Sequence, residues 1–372
     1  MAHKLFAHTM ILLFICSFQV SLTLADSTPV LNKGEKWRIG YYEGGAYSDY
    51  TDTMRTLVKG LIASGWIKDE TPPDQFHEIP KPYWEWLSQC KSPFLSFKSE
   101  DSYSANWDDA QRQQIRKVLL KRLKAGELDL IIAMGTWAGQ DLATNEHAVP
   151  TIVLSTSNPI KAGIITSADD SGYDHVTARI DPTRYLRQLR MFHRIVGFKT
   201  LGIAYEDTAD GKLYSAMEDV QQIARERGFK FITCKVPETL DLEKADRACT
   251  DCYRWLAQKA DAVYVTALTC VDRRVAEFAE IFRTAGIPSF SMVGSKYVKE
   301  GIMLSISSDS GYERLGRYNA MKIGEMLNGT QAILLKQLFE DPLDISVNIN
   351  TIRQIGFDLP QSILNISREI YE

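Results

Sequence analysis

The chain has 372 residues, enough for one large domain or two. Charged residues make up 24% and hydrophobic ones 45%, an ordinary globular composition. The formal net charge of −4 gives no argument for a nucleic-acid partner or an anionic membrane surface.

Met1–Ala25 reads as a targeting segment. Lys4 supplies the positive start, Met10–Phe18 an apolar core too short to span a bilayer, and Thr23-Leu24-Ala25 the small residues of a cleavage site, placed after Ala25. Ile15 before Cys16 is the wrong size for a lipidation signal, so a soluble mature protein is expected. No later run reaches transmembrane length. The expected compartment is the periplasm or the cell exterior.

Trp37–Tyr42 is the first expected strand, and Glu43-Gly44-Gly45-Ala46-Tyr47 is its turn. A helix follows over about 50–64, with Met54, Leu57, Val58, Leu61 and Ile62 on one face and Gly65 as its stop. Phe76–Ile79 is a candidate second strand. The stretch 80–107 carries seven aromatic residues and is expected to pack as a satellite cluster, with a lid as the competing reading. Asp108–Lys124 is an amphipathic helix with a cationic outer face.

Leu128–Met134 is a short apolar run that suits a strand buried on both faces. Gly135 breaks it, and Thr136 is placed as N-cap of a helix over about 137–145. Pro150–Leu154 is a further strand, closed by Ser155-Thr156-Ser157-Asn158-Pro159. After it the alternation restarts, with strands at 176–180, 200–205, 229–236, 262–266, 288–292 and 302–307. Helices at 182–196, 212–227, 242–259 and 271–285 separate the first five of these, and another follows 309. A closing strand and short helix occupy 344–356. Such alternation means parallel sheets with right-handed crossovers.

In open parallel sheets ligands collect at the carboxyl ends of strands, beside helix N-termini. That rule selects Tyr42, Glu43, Ala46, Tyr47, Thr136, Trp137, Ser157, Asn158, Glu206, Thr266 and Asp309 as ligand contacts. Hydroxyls and helix ends at Thr136, Ser157 and Asn158 would take a carboxylate. Tyr42, Tyr47 and Trp137 would supply flat walls, and Glu43 or Asp309 would pair with an amine. Glu206 and Thr266 would complete the site from a second lobe as a hinge closes.

The runs DLIIAMGTWAGQ (129–140) and VPTIVLSTSNPIKAGI (149–164) resemble the solute-binding proteins of the ABC-transporter substrate-binding family, which includes tryptophan- and tyrosine-binding members. The resemblance extends over about 38–360. The chain departs from the family pattern at Asn158-Pro159, where Asp-Pro is usual, and at Gly163-Ile164-Ile165. The resemblance implies an α/β fold of two Rossmann-like lobes with parallel sheets, joined by three crossings (type I periplasmic binding protein). It places those crossings near 159–161, 294–296 and 329–332. The lobes are then 26–160 with 295–330, and 161–294 with 331–372. It also implies a monomeric receptor that delivers a small ligand, an aromatic amino acid or related carboxylate, to an ABC permease. A periplasmic sensor feeding a signalling receptor and a secreted α/β hydrolase are the alternatives.

No phosphate-loop, zinc-protease or nucleophile-elbow motif is present, so no catalytic residue, cofactor or metal is assigned. Five cysteines remain after cleavage: Cys90, Cys234, Cys249, Cys252 and Cys270. Cys249-x-x-Cys252 reads as part of one or more disulfides, as buried thiols, as a redox pair or as a zinc half-site.

Overall fold

The computed structural model describes residues 26–68, 80–307, 309–340 and 342–372, with residues 80–82, 309 and 310 in backbone only. The expected targeting segment, its cleavage site and the candidate strand Phe76–Ile79 lie outside the described residues.

Two sheets form. The first holds β1 (Trp37–Glu43), β2 (Leu95–Ser104), β3 (Leu130–Met134), β4 (Thr151–Leu154) and β5 (Val176–Ala178), all parallel, in the order β2-β1-β3-β4-β5. The second holds β6 (Thr200–Glu206), β7 (Lys230–Val236), β8 (Ala262–Val265), β9 (Ser289–Ser291), β10 (Leu304–Ser305), β11 (Ile345–Asn348) and β12 (Ser367–Tyr371). Its order is β12-β11-β10-β9-β8-β6-β7, parallel except where β11 runs against β10. In both sheets the first strand lies between the second and third, the doubly wound arrangement that leaves a crevice at the strand ends.

Successive side chains of β1 go to opposite faces, as a strand requires. Ile39 and Tyr41 join a core with the helices Ser48–Ala63 and Asp309–Leu327. Tyr42 joins a core on the other face, with the helices Asp109–Lys124 and Gly135–Leu142. The second sheet has one continuous core that includes Phe192, Tyr253, Phe278 and Phe290. The aromatic stretch is no separate satellite: Tyr83, Trp84 and Phe97 are buried in the core that holds Ile39 and Tyr41, Leu95–Ser104 is a strand of the first sheet, and Trp84 donates to the Lys98 carbonyl at 2.8 Å.

Strand pairing corrects the expected division of the chain. Val176–Ala178 pairs with β4 and so belongs to the first sheet, where the sequence reading put it in the second lobe. Leu304–Ser305 pairs with β9 and β11 in the second sheet, where a return to the first was expected. The three crossings therefore follow Ala178, Ser305 and Phe339. A bridge between Ile180 and Leu338 ties the first crossing to the last. The helix expected at 212–227 is two, Ala209–Tyr214 and Met217–Arg227, parted at Ala216 with φ 51°.

Two disulfides brace the second lobe. Cys234–Cys252 joins β7 to the helix Leu242–Lys259, and Cys249–Cys270 joins that helix to Thr269–Ala285. The Cys90 sulfur lies 3.5 Å from the Trp86 carbonyl. Among the described residues no group of His, Cys, Asp and Glu has the makings of a metal site, and no helix is long and apolar enough to cross a membrane.

Candidate functional site

A cavity of about 80 Å³ lies where the lobes meet. The first lobe gives it Tyr47, Asp49 and Thr53 from the start of the helix Ser48–Ala63, and Ser155 to Ser157 from the end of β4. The second lobe gives Tyr185, Ala267 and Met292 from helix and strand ends, and the crossings give Arg179, Arg184, Ser307 and Tyr312.

Ser155 sets the shape. It has φ 53°, in the left-handed region that serine rarely occupies, so the chain turns sharply at the first residue past β4. Its hydroxyl donates to one oxygen of Asp49, and the Tyr312 hydroxyl donates to the other. The nearby cations Arg55 and Lys296 pair with Asp52 instead. Among the described residues Asp49 has hydroxyl donors but no cationic partner. Burial, then the charges of Asp49 and Asp52, push the Tyr312 hydroxyl well above its ordinary value, so it remains a donor at neutral pH. Burial, then Asp272 and Asp49, do the same to Tyr47.

The expected contacts divide into four groups. Tyr47 and Ser157 line the cavity. Thr136 and Trp137 lie at a second contact between the lobes: Trp137 Nε1 donates to Asp210 at 3.2 Å, and Thr136 faces Tyr214. Trp137 is held there by Arg112, whose guanidinium lies 4.6 Å from the ring centre. Glu206 sits behind this contact. Its carboxyl is raised by burial first and by Glu238 and Asp210 after it.

A third group is spent on the fold. Tyr42 is fully buried and donates to Asp141 at 2.7 Å, with Arg112 on the same carboxylate at 3.0 Å; it is no wall of the cleft. Glu43 is also buried, accepts from Tyr41 at 2.6 Å, and is pushed up to about 7 by burial. That placement, inside the lobe and away from the cavity lining, leaves it no amine to pair with. Thr266 donates to the Ala204 carbonyl at 2.7 Å, which fastens β8 to β6. Thr136 caps nothing, because the helix Gly135–Leu142 begins one residue earlier on Met134.

The last group lies on the surface or beyond description. Ala46 is exposed and its carbonyl accepts from Trp107 at 3.1 Å. Asn158 accepts from the Lys161 amide at 2.9 Å and so closes a turn, while Lys161 reaches Glu218 at 3.0 Å in the other lobe. The side chain of Asp309 lies outside the described residues; its backbone starts the helix that carries Tyr312. Asp49, Ser155 and Arg184 escaped the sequence reading. Asp49 fell between the turn Glu43–Tyr47 and the helix expected over about 50–64, whereas that helix begins at Ser48.

Two parallel-sheet lobes, three crossings and a polar cleft at the strand ends define a periplasmic-binding-protein-like fold. The family model described as "ABC transporter substrate binding protein" matches residues 97–370, and the chain belongs to that non-enzymatic family. None of the curated proteins matches. Among solved structures, the ABC domain in complex with L-Trp from Streptococcus pneumonia aligns with TM-score 0.69 at 18% identity, over 90% of this chain and 100% of that one. A conserved domain protein from Vibrio cholerae gives 0.68 at 19%, with the same coverage. The ligand-free, open substrate-binding protein CD0873 from Clostridium difficile gives 0.57 at 20%. At these identities the likeness is one of fold.

Proposed function

We propose that the protein captures a small amino acid-like ligand, carrying both an amine and a carboxylate, in the cleft between its lobes and delivers it to an ABC permease. The observation that carries the ligand class is Asp49, a cleft carboxylate oriented by two hydroxyls and left without a cation among the described residues. A ligand ammonium supplies that charge, and Arg184, at the same cavity, is the cation for a carboxylate. Tyr47 and Ser157 contact the ligand, while Thr136 and Trp137 shut the rim with Tyr214 and Asp210. The L-Trp complex of the Streptococcus relative makes aromatic amino acids the first candidates. The cavity is well below the roughly 300 Å³ of a small-ligand pocket, so such a ligand enters by parting the lobes. Capture takes place in the periplasm, by a monomer freed of its first 25 residues; the two disulfides suit that oxidising compartment.

The test is calorimetric titration of the mature protein with amino acids and with their deaminated acids. An amino acid that binds should lose about 30-fold or more in affinity in Asp49→Asn, the cost of removing one partner of a buried charge pair. The deaminated acid should bind weakly to both proteins. Equal binding of the two ligands, unchanged by Asp49→Asn, would remove the amine from the reading.

A further inference from the structure

We infer that Asp272 is a positioning residue that holds the cleft shut, by capping from the second lobe the helix of the first lobe that carries Asp49. The helix Ser48–Ala63 begins after Tyr47, which is extended and offers no side-chain cap. The first amides of a helix have no partner inside it. Here the Ser48 amide donates to Asp272 Oδ2 at 3.2 Å, across 224 positions of sequence. A carboxylate also suits the positive end of a helix.

Asp272 is anchored on its own side. The hydroxyl of Tyr297, a fully buried residue of the second lobe, donates to its other oxygen. Cys270, two residues earlier, is bonded to Cys249 of the neighbouring helix, so the start of Thr269–Ala285 is fixed to its lobe. One turn further along the first-lobe helix, Lys296 of the second lobe lies 4.0 Å from Asp52. The second lobe thus grips the first turn of Ser48–Ala63 with an anion at its amide and a cation at its carboxylate.

Donor and acceptor sit on different lobes, so this cap exists only in the closed form. Opening leaves the helix start without its cap and moves Asp272 off its donor. Asp49 is the second residue of that helix, so the latch grips the first lobe directly beside the ligand-facing carboxylate. The consequence for affinity rests on the binding-protein reading; the latch itself does not, because it is a contact of the protein alone.

Ser48→Pro is the decisive variant. Ser48 is the first helical residue, a position proline favours, and Tyr47 already has the extended backbone (φ −151°, ψ 136°) that a following proline requires. The substitution deletes the amide donor and leaves the helix intact. Small-angle X-ray scattering of the ligand-free mature protein, with Asp272→Ala, Ser48→Pro and the double variant, reads the lobe separation. Each single variant should shift the open-to-closed ratio by roughly 5-fold, the equilibrium worth of one N-cap. The radius of gyration should rise, far-UV circular dichroism should stay unchanged, and the double variant should add nothing to either single. Three results overturn the inference: unchanged scattering in both singles, opening in Asp272→Ala but not in Ser48→Pro, or a wild-type protein already as open as the variants.

Discussion

The helices Ser48–Ala63 and Asp309–Leu327 cross with glycine against glycine, and this crossing supports a prediction of sign. A methyl group added at Gly60 would lie 2.7 Å from the Gly316 carbonyl oxygen and 2.8 Å from Ala320 Cβ. One added at Gly316 would lie 2.8 Å from Thr56 Cβ and fall on the Thr56 carbonyl itself. Backbone cannot rotate aside as a side chain does, so Gly316→Ala must push the helices apart. Alanine gains about 1 kcal/mol over glycine in a free helix, while overpacking a tight contact costs about 1–3 kcal/mol. With backbone as the obstacle the upper end of that range applies, and the net loss should be about 1–2 kcal/mol. Gly311, on the same helix, has nothing within 4 Å of an added methyl, so Gly311→Ala should stabilise by up to about 1 kcal/mol. Urea unfolding of the two variants should therefore move the midpoint in opposite directions. A rise in midpoint for Gly316→Ala comparable with that for Gly311→Ala would refute the packing argument. Because this helix also carries Tyr312, the Gly316 variant should bind ligand more weakly through a displaced Tyr312–Asp49 contact.

Three further perturbations have defined outcomes. The disulfides Cys234–Cys252 and Cys249–Cys270 span 18 and 21 residues; removing either by paired alanine substitution should cost about 3 kcal/mol and lower the calorimetric melting temperature by about 6–12 °C. His147 is packed 4.5 Å from His175, and its pKa is lowered to about 4 by burial first and by His175 second. Between pH 6.5 and 4 the unfolded chain binds the proton that the folded one refuses. Stability is therefore full above 6.5 and falls by about 3 kcal/mol on acidification through that window, and His147→Gln should flatten the slope seen in urea titrations at each pH. Asp141→Ala should cost about 3–5 kcal/mol in the same assay, because it strands both Arg112 and the buried Tyr42 hydroxyl.

The alternation of strands and helices was legible because a strand buried on both faces has nowhere to put polar residues. Leu130–Met134, Thr151–Leu154 and Ala262–Val265 are buried at every position. What escaped was strand membership. Leu95–Ser104 reads as polar, yet Leu95, Phe97 and Asp101 alternate inward and Asp101 pairs with Arg122 at 2.8 Å. An edge strand needs only one buried face, so its apolar signal is halved. Val176–Ala178 and Leu304–Ser305 are three and two residues long. At that length nothing in the residues says which sheet they join; the hydrogen-bonding register decides it, and that is set by the partner strand. Two of the misplaced crossings follow from those two strands, and the third from the segment that holds Ala332–Leu334, which stays beside Val176–Ala178 and bridges Ile180 at Leu338. Ser367–Tyr371, which is exposed on alternate residues and sits at the far edge, escaped for the same reason as Leu95–Ser104.

The site was legible to the level of the strand end and no finer. A rule that sends ligands to the carboxyl ends of strands names whole turns, and within a turn neighbouring residues face opposite ways. At the first turn it selected Tyr42, Glu43 and Tyr47 together; two of these spend their polar atoms inside the lobe, on Asp141 and Tyr41, and the third reaches the cavity. At the β4 turn it selected Ser157 and Asn158 and passed over Ser155, whose left-handed backbone cannot be read from the residue type. A polar side chain becomes available to a ligand only if the fold leaves it without a partner. Partnership is a property of pairs far apart in sequence: Asp141 lies 99 positions from Tyr42, and Asp49 lies 106 from Ser155 and 263 from Tyr312. The same separation that hid these contacts makes them useful. Asp49 is held by two hydroxyls of its own lobe, Ser155 from the β4 turn and Tyr312 from the helix that packs against its own, so the group that faces the ligand is oriented by distant parts of one lobe.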